Sequence, residues 1–213
     1  MRIFLTSSKK VGSNWLFNIL VDLVKPKRAV RDRDIDRWNL HKYKDGVFKV
    51  HFVHPKELCD DKTKVISITR NLYDAITSLV LRKKFLLDLK ENPSQFVFAY
   101  KELIEQQVQY WLRYRDGFEH ENYLLVHYED MIKDPFPIVK RICEFLGLKK
   151  GDDTIRKIVN KNSFEHVTGR KRGKEDKSSH NRKGVVGDYK NHLDEEAIKF
   201  IDYLRKNEEK NTR

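Results

Sequence analysis

Two cysteines in 213 residues are too few for a disulfide scaffold. Cys59 and Cys143 stand far apart, each inside an apolar segment, and read as reduced core thiols rather than as parts of a zinc site. Long hydrophobic runs are also lacking. The stretch "WLFNILVDLV" is interrupted by Asn18 and Asp22, so nothing in the sequence approaches a membrane span. There is no internal repeat and no low-complexity linker. An extended apolar run starts at Arg2 and leaves no room for a signal peptide, which makes a soluble, cytoplasmic protein the expectation.

Positive charge is abundant. The 44 Lys+Arg against 32 Asp+Glu leave a formal charge of +12, which favours nucleotides, nucleic acid, acidic glycans or membrane surfaces as partners without choosing among them. The length suits one sizeable domain over residues 1–213. Four short β-rich runs stand out at Arg2–Thr6, Val47–Phe52, Lys64–Thr69 and Tyr123–His127. The first, third and fourth are almost wholly apolar, as strands buried on both faces are. Between them the apolar spacing predicts helices over Ser13–Val24, Leu72–Leu87, Val97–Arg115 and Phe136–Leu146, the last stopped by Gly147. Asp194 is placed to cap a final helix, with Glu195 and Glu196 in its first turn. Strands alternating with helices imply an α/β fold with a central parallel sheet flanked by helices, and the loop after the first strand resembles a phosphate-binding one, which makes the expected fold P-loop nucleotide-binding-like. Residues 25–46 and 169–184 read as irregular. Ligands of such sheets bind beyond the carboxyl ends of the strands, and that rule selects the residues that follow each run.

After the first strand comes "KKVGSNW", in which Gly12 permits a tight turn and the following helix aims its N–H groups at the loop. Ser13 and Asn14 are good capping types whose side chains also suit phosphate oxygens. The Lys-Ser/Thr pair that follows the glycine in nucleotide triphosphatases is missing, and with it the usual magnesium-holding hydroxyl. Taken alone, the turn is equally a plain helix cap. After the third strand, Arg70 sits at the strand end with Asn71, Asp74 and Ser78 on one side of the next helix; by itself it reads as a surface arginine paired with Asp74. At the end of the second strand, Lys49 and His51 precede His54-Pro55. His51 has the chemistry of a general base, although a histidine held by a backbone carbonyl is the commoner case, and His54 reads as a turn. Near the C-terminus "RKGVVGDYKNH" starts with Arg182, Lys183 and Gly184 and suits a loop folding over an anion, whereas the charge of residues 170–183 alone suits a solvated or nucleic-acid-binding stretch.

In this order the motifs resemble those of the sulfotransferases that use 3′-phosphoadenosine 5′-phosphosulfate (PAPS), across nearly the whole chain. "KVGSNWL" resembles their 5′-phosphosulfate loop, "KVH" their Lys-Thr-His, "RNLYDAITS" their 3′-phosphate motif, and "LVHYEDMIKDPFPIVKRICEFLG" their Tyr-Glu-Asp segment. "RKGVVGDYKNHL" is the most specific match, to Arg-Lys-Gly-x-x-Gly-Asp-Trp-Lys-Asn-His-Phe. The resemblance implies that His51 is the base, that Lys10 stabilises the leaving phosphate, and that Lys49 and Ser78 complete the catalytic set. It implies that Gly12, Ser13 and Asn14 hold the 5′-phosphate and that Trp15 stacks on adenine near Tyr128, Asn162, Ser163 and Phe164. Arg70, Ser78, Arg182, Lys183 and Gly184 would hold the 3′-phosphate. The implied donor is PAPS, with no metal, and the acceptor is a small molecule, glycan or lipid. Nucleic acid is not an expected partner, and the oligomeric expectation is a monomer or a weak oligomer. Leu72 stands where the family has proline, Lys9 likewise, and Tyr189 replaces tryptophan. Asp194-Glu195 replaces the Thr-Val of the family's dimerisation motif. Two rival readings are a P-loop nucleotide kinase or triphosphatase, and an inactive relative that binds anions or nucleic acid. The cation-rich segment Arg28–Arg37 would suit an acidic acceptor, but the expectation is exposed, solvated surface, the default for runs of mixed charge.

Overall fold

The structure, a computed structural model, describes residues 1–31, 34–51, 53–87 and 92–211. Its sheet has five strands: β1 (Arg2–Ser7), β2 (Ala29–Val30), β3 (Gly46–His51), β4 (Thr63–Thr69) and β5 (Tyr123–His127). The strands run in the order β2-β3-β1-β4-β5 and every pair is parallel. The alternation along β1 explains the two layers. Ile3 and Leu5 join one apolar cluster, whereas Phe4 between them joins another with Phe48, Val50 and Val65. Both sheet faces are therefore covered, which is why these strands are apolar at successive positions. Phe52, the last residue of the expected second strand, lies outside the described residues.

Helix α1 (Ser13–Val24) packs Leu16, Leu20 and Leu23 on the Ile3 face. The same cluster takes Val139 and Ile142 of α6 (Pro135–Phe145) and Ile155 of α7 (Asp152–Lys161). A third apolar cluster joins α2 (Leu72–Leu87) to α3 (Pro93–Ala99), α4 (Lys101–Arg115) and α9 (Glu195–Asn211). The short helices α5 (Tyr128–Lys133) and α8 (Phe164–Thr168), like α7, were not foreseen from the periodicity of the sequence. Gly147 does end α6, in a left-handed conformation at φ 65°, and the Asp194 carboxylate accepts the Ala197 N–H at 2.8 Å as the expected cap of α9. Cys143 is buried and Cys59 half-buried, both as free thiols.

One expected helix is two. The apolar stripe through 97, 100, 104, 108 and 111 predicts a continuous helix from Val97 to Arg115, but Tyr100 leaves the helical region at φ −118°, ψ 45°. Its N–H closes α3 on the Phe96 carbonyl, and its own carbonyl opens α4 by accepting from Leu103 and Ile104. The start of α3 is fixed by a reciprocal cap between Asn92 and Gln95 with Pro93 in the first turn. The edge strand β2 is the other departure, since residues 25–46 were expected to be irregular throughout.

Ile201 and Leu204 of α9 are buried against α3 and α4, so this helix is part of the core. Ile201→Ala should cost about 2–5 kcal/mol by chemical denaturation. Lys199→Ala, at an exposed i,i+4 pair with Glu195, should stay within about 0.5 kcal/mol; comparable losses for the two variants would contradict the assignment of α9 to the core.

Candidate active site

The carboxyl ends of β1, β3 and β4 open into one cavity of about 670 Å³, within the range of roughly 300–1,000 Å³ usual for small-molecule sites. Every site residue expected from the sequence lines it: Lys10, Gly12, Ser13, Asn14 and Trp15 from the first loop and α1, Lys49 and His51 from β3, Arg70 and Ser78 from β4 and α2. The later chain adds Tyr128, then Asn162, Ser163 and Phe164, and then Arg182, Lys183 and Gly184.

The first loop is shaped by backbone demands. Lys10 has a left-handed φ of 64° and Gly12 one of 90°. A side chain at Gly12 would meet the Tyr128 ring at 2.5 Å, so only glycine fits the approach of this loop to Tyr128. Gly12, not Ser13 or Asn14, occupies the capping position of α1, and no side chain caps the helix. The Trp15 N–H is taken by the Gly12 carbonyl at 3.0 Å, so the N–H groups of Ser13 and Asn14 are the ones at the helix start that an anion cradle would use.

His51 lies opposite Ser7 in the parallel register. Its Nδ1 is 2.9 Å from the Ser7 carbonyl, which can only accept, so Nδ1 carries the proton and the lone pair sits on Nε2. Lys49 donates to the Asn14 side-chain oxygen at 2.6 Å. Arg70 donates to the Lys10 carbonyl at 3.3 Å and to the Val185 carbonyl at 2.9 Å, and its guanidinium lies 4.4 Å from the centre of the Tyr128 ring. Its nitrogen to Asp74 distance is 3.7 Å. The pairing expected from sequence is therefore the weaker part of what Asp74 does. Buried Asp74 accepts the Gly187 N–H at 2.7 Å and the Tyr189 N–H at 3.1 Å, which fastens the C-terminal glycine loop to α2. Glu129 does the same for the turn after β4 by accepting the Asn71 N–H at 2.9 Å.

Arg182 and Lys183 are tied to buried Asp188, Lys183 at 2.6 Å, and Arg182 also meets Glu175. Burial alone would raise the Asp188 carboxyl, but hydrogen bonds from Lys183, Arg182 and Asn191 outweigh it and hold it far below the usual range. Gly184, at φ 67°, brings the chain so close to Phe164 that a Cβ would lie 2.6 Å from its ring. Asn162 turns its amide to Asp22 at 2.7 Å and to the Ile158 carbonyl at 3.0 Å, so it serves the end of α7 with its donors. Ser163 caps α8 by accepting the His166 N–H.

Several lining residues were missed from the sequence. Arg82 is one helical turn beyond Ser78, and Asn18 one turn beyond Asn14, so the i,i+4 rule would have found both. Arg31, Arg172, His180 and Asn181 come from segments without periodicity. Arg28 and Arg31 are exposed, as expected, and Arg31 also lines the cavity; Asp32 and Arg33 of that segment lie outside the described residues. Among the described residues no acidic side chain lines the cavity, while nine lysines and arginines do.

That imbalance is legible in Lys10. Burial, followed by the positive charges of Arg82, Arg70 and Arg182, lowers its ammonium from 10.5 to about 8. A polyanion entering the cavity should reverse this. Calorimetry with sulfate, which does not itself titrate in this range, in two buffers of different ionisation enthalpy should show proton uptake at about pH 8.5 and little at about pH 6.5, with the uptake lost in Lys10→Met. Binding without proton uptake at the higher pH would contradict a charge-depressed Lys10.

Comparison with known proteins accords with this geometry. The family described as "Sulfotransferase domain" matches residues 46–212. Sulfotransferase 2B1 of Mus musculus is 25% identical over 226 residues, covering 90% of this chain and 66% of its own length. The 3-alpha-hydroxysteroid sulfotransferase of Cavia porcellus is 28% identical over 86% of this chain and 75% of its own length. Against Sulfotransferase 2A6 of Mus musculus the chain spans 53% of the relative's length at 30% identity. The fold is shared with the crystal structure of mouse sulfotransferase SULT7A1 complexed with PAP, at a TM-score of 0.73, 23% identity, 95% coverage of this chain and 82% of that one. Among the described residues no helix is long and apolar enough to cross a membrane. With the matched region taking in β3, β4 and the whole C-terminal glycine loop, the chain belongs to the sulfotransferase domain family.

Proposed function

We propose that this chain is a sulfotransferase that moves the sulfuryl group of PAPS to an acceptor hydroxyl or amine. The observation that carries the reading is that His51, with its Nε2 lone pair, shares one cavity with Lys10 and with further cations at Arg70, Arg182 and Lys183. The donor has two anionic ends, and this assignment gives Lys10 to one and the other three cations to the second. The residues also fit by what they leave over. Among the described residues the buried donors Arg70 Nε, Arg182 Nε and Trp15 Nε1 have no hydrogen-bond partner, and the first turn of α1 is uncapped by any side chain.

In this assignment Lys10, Gly12, Ser13 and Asn14 hold the 5′ end, and Lys49 fixes the Asn14 side chain. Trp15, Tyr128, Ser163 and Phe164 supply the apolar walls for the base, with Asn162 contributing at most its carbonyl oxygen. Arg70, Ser78, Arg182, Lys183 and Gly184 hold the 3′-phosphate. Arg182 and Lys183 then share their charge between the ligand and Asp188. When bound, PAPS supplies an activated sulfur: a bond forms from the acceptor oxygen to sulfur, the bond from sulfur to the bridging phosphate oxygen breaks, and the electron pair remains on the phosphate. His51 takes the acceptor proton at Nε2, its ring held by the Ser7 carbonyl. Lys10, within reach of neutralisation when the site is empty, becomes fully charged against the phosphate that leaves, which is stabilisation placed where charge develops. A kinase or triphosphatase reading requires an acidic group at the end of the strand beside the loop. Here β4 runs into Arg70, which favours an anion at that place.

Replacing His51 with Ala should lower transfer by about 10²–10⁴-fold while leaving affinity for 3′-phosphoadenosine 5′-phosphate (PAP) nearly unchanged; retained activity would remove the base assignment. Arg182→Ala should weaken PAP by about tenfold or more, roughly 1.4 kcal/mol, and adenosine 5′-phosphate far less. Equal losses for both nucleotides would contradict the 3′-phosphate assignment.

A further inference from the structure

The cations of the cavity exceed what two phosphate groups use, and the excess is not spread evenly. Arg172 is committed beside the apolar end. It donates to the Ile132 carbonyl at 3.1 Å and lies 5.5 Å from the Trp15 ring centre. Phe164 belongs to that end too, covered by Arg170 at 5.3 Å and packed on Gly184. Trp15 also meets Tyr128 edge to face at 6.2 Å. The apolar side chains of the lining are thus linked to one another through α1, α5 and α8.

The end that holds His51 is different. In the parallel pairing of β2 with β3, Val30 lies opposite Phe48, so the next residue, Arg31, emerges beside Lys49, two residues before His51. Its guanidinium is held over the Phe17 ring at 5.3 Å and donates to the Asn18 oxygen at 3.0 Å. Asn18 is one turn along α1 from Asn14, the acceptor of Lys49, whereas Trp15 is rotated by about 100° from Asn14 around the same helix. Arg31, an exposed residue, and Lys49, a buried one, therefore reach α1 side chains one turn apart, Asn18 and Asn14. His180 lines the same cavity, and its imidazolium is disfavoured first by burial and then by the charges of Lys10, Arg82, Lys49 and Arg31. Arg82 fixes that segment by donating to the Ser178 carbonyl at 2.5 Å.

An uncharged, apolar acceptor lying against this wall would remove water from cations and return nothing for it. A carboxylate would match the fork of an arginine and the point charge of a lysine, and would balance the local excess of positive charge. We propose that the acceptor is a hydroxyl compound bearing a carboxylate, with Arg31 holding the carboxylate while the hydroxyl faces His51. This rests on the sulfotransferase reading above and adds the acceptor class to it. The chemistry is unchanged: the acceptor oxygen bonds to sulfur, the bridging sulfur–oxygen bond breaks, and His51 receives the proton. The carboxylate can belong to a free hydroxy acid or to a uronate sugar, and Arg31 is the residue that selects for it.

The test compares kcat/KM for matched acceptors with PAPS as donor. One pair is 4-hydroxyphenylacetate and its amide; the other is 4-nitrophenyl glucuronide and the corresponding glucoside. The carboxylated member should be preferred by about tenfold or more in at least one pair, and which pair shows it tells a hydroxy acid from a uronate; Arg31→Gln should remove most of that preference. In parallel, calorimetry on the PAP complex should show the carboxylated compound of that pair binding more tightly than its neutral partner. Preference for the neutral members, a preference that survives Arg31→Gln, or no transfer to any of the four compounds by protein that binds PAP would each overturn the carboxylate proposal while the cofactor reading stands. Failure of the wild-type protein to bind PAP would overturn both.

Discussion

Everything in this molecule is arranged around the cost of holding like charges together. Nine cationic side chains line one cavity at the carboxyl edge of the sheet, and no described acidic side chain shares the lining. Two unit charges about 4 Å apart interact by about 4 kcal/mol at an effective dielectric near 20, so such an assembly persists only if the scaffold restrains it. The carboxylates that do so lie one layer behind the lining. Asp188 holds Arg182 and Lys183, Asp74 holds the backbone of the loop that carries them, and Glu129 holds the turn after β4. They anchor the cations without neutralising the cavity. The residual field falls on Lys10, whose lowered pKa records it, and a polyanionic ligand is the counter-charge that the site lacks.

The same arrangement explains why the site sits where it does. The central strand β1 delivers Ser7 to orient His51 and then releases the chain into a loop with Lys10 and Gly12 both in left-handed conformations. Lys10 accepts that strain with a β-carbon, which costs of the order of 1 kcal/mol, and in return its carbonyl meets Arg70 from the next strand. Gly12 cannot be replaced without displacing Tyr128. The loop, the base and the arginine are therefore coupled through the three central strands rather than placed independently.

Much of this was legible in the sequence because it is written in local signals. Uniformly apolar runs mark buried parallel strands, and residues just beyond them mark the ligand edge, so position made Lys10, His51 and Arg70 candidates, while their roles came from the resemblance to sulfotransferase motifs. The C-terminal Arg182-Lys183-Gly184 segment could be found from its glycines and charge. What escaped reading was governed by distant contacts. The break at Tyr100 interrupts an intact apolar stripe, because Asn92 and Pro93 fix where α3 starts and Tyr100 turns the chain into α4. Arg31 is placed by a two-residue edge strand too short to show a period. His180 and Arg172 lie in a cation-rich stretch that looks like solvated surface until Arg170 is seen gathering the carbonyls of Lys174, Asn181 and Arg182. Asn162 matched the expected position, yet its amide is used to finish a helix.

The central claim is that the paired cation groups exist to hold a nucleotide with phosphates at both the 5′ and 3′ positions. The most direct measurement is calorimetric titration of the wild-type protein with PAP beside adenosine 5′-phosphate and ATP with magnesium. The account predicts micromolar or tighter binding of PAP, about 8 kcal/mol or more, and much weaker binding of the other two. Tightest binding of ATP with magnesium, or equal binding of all three, would contradict it.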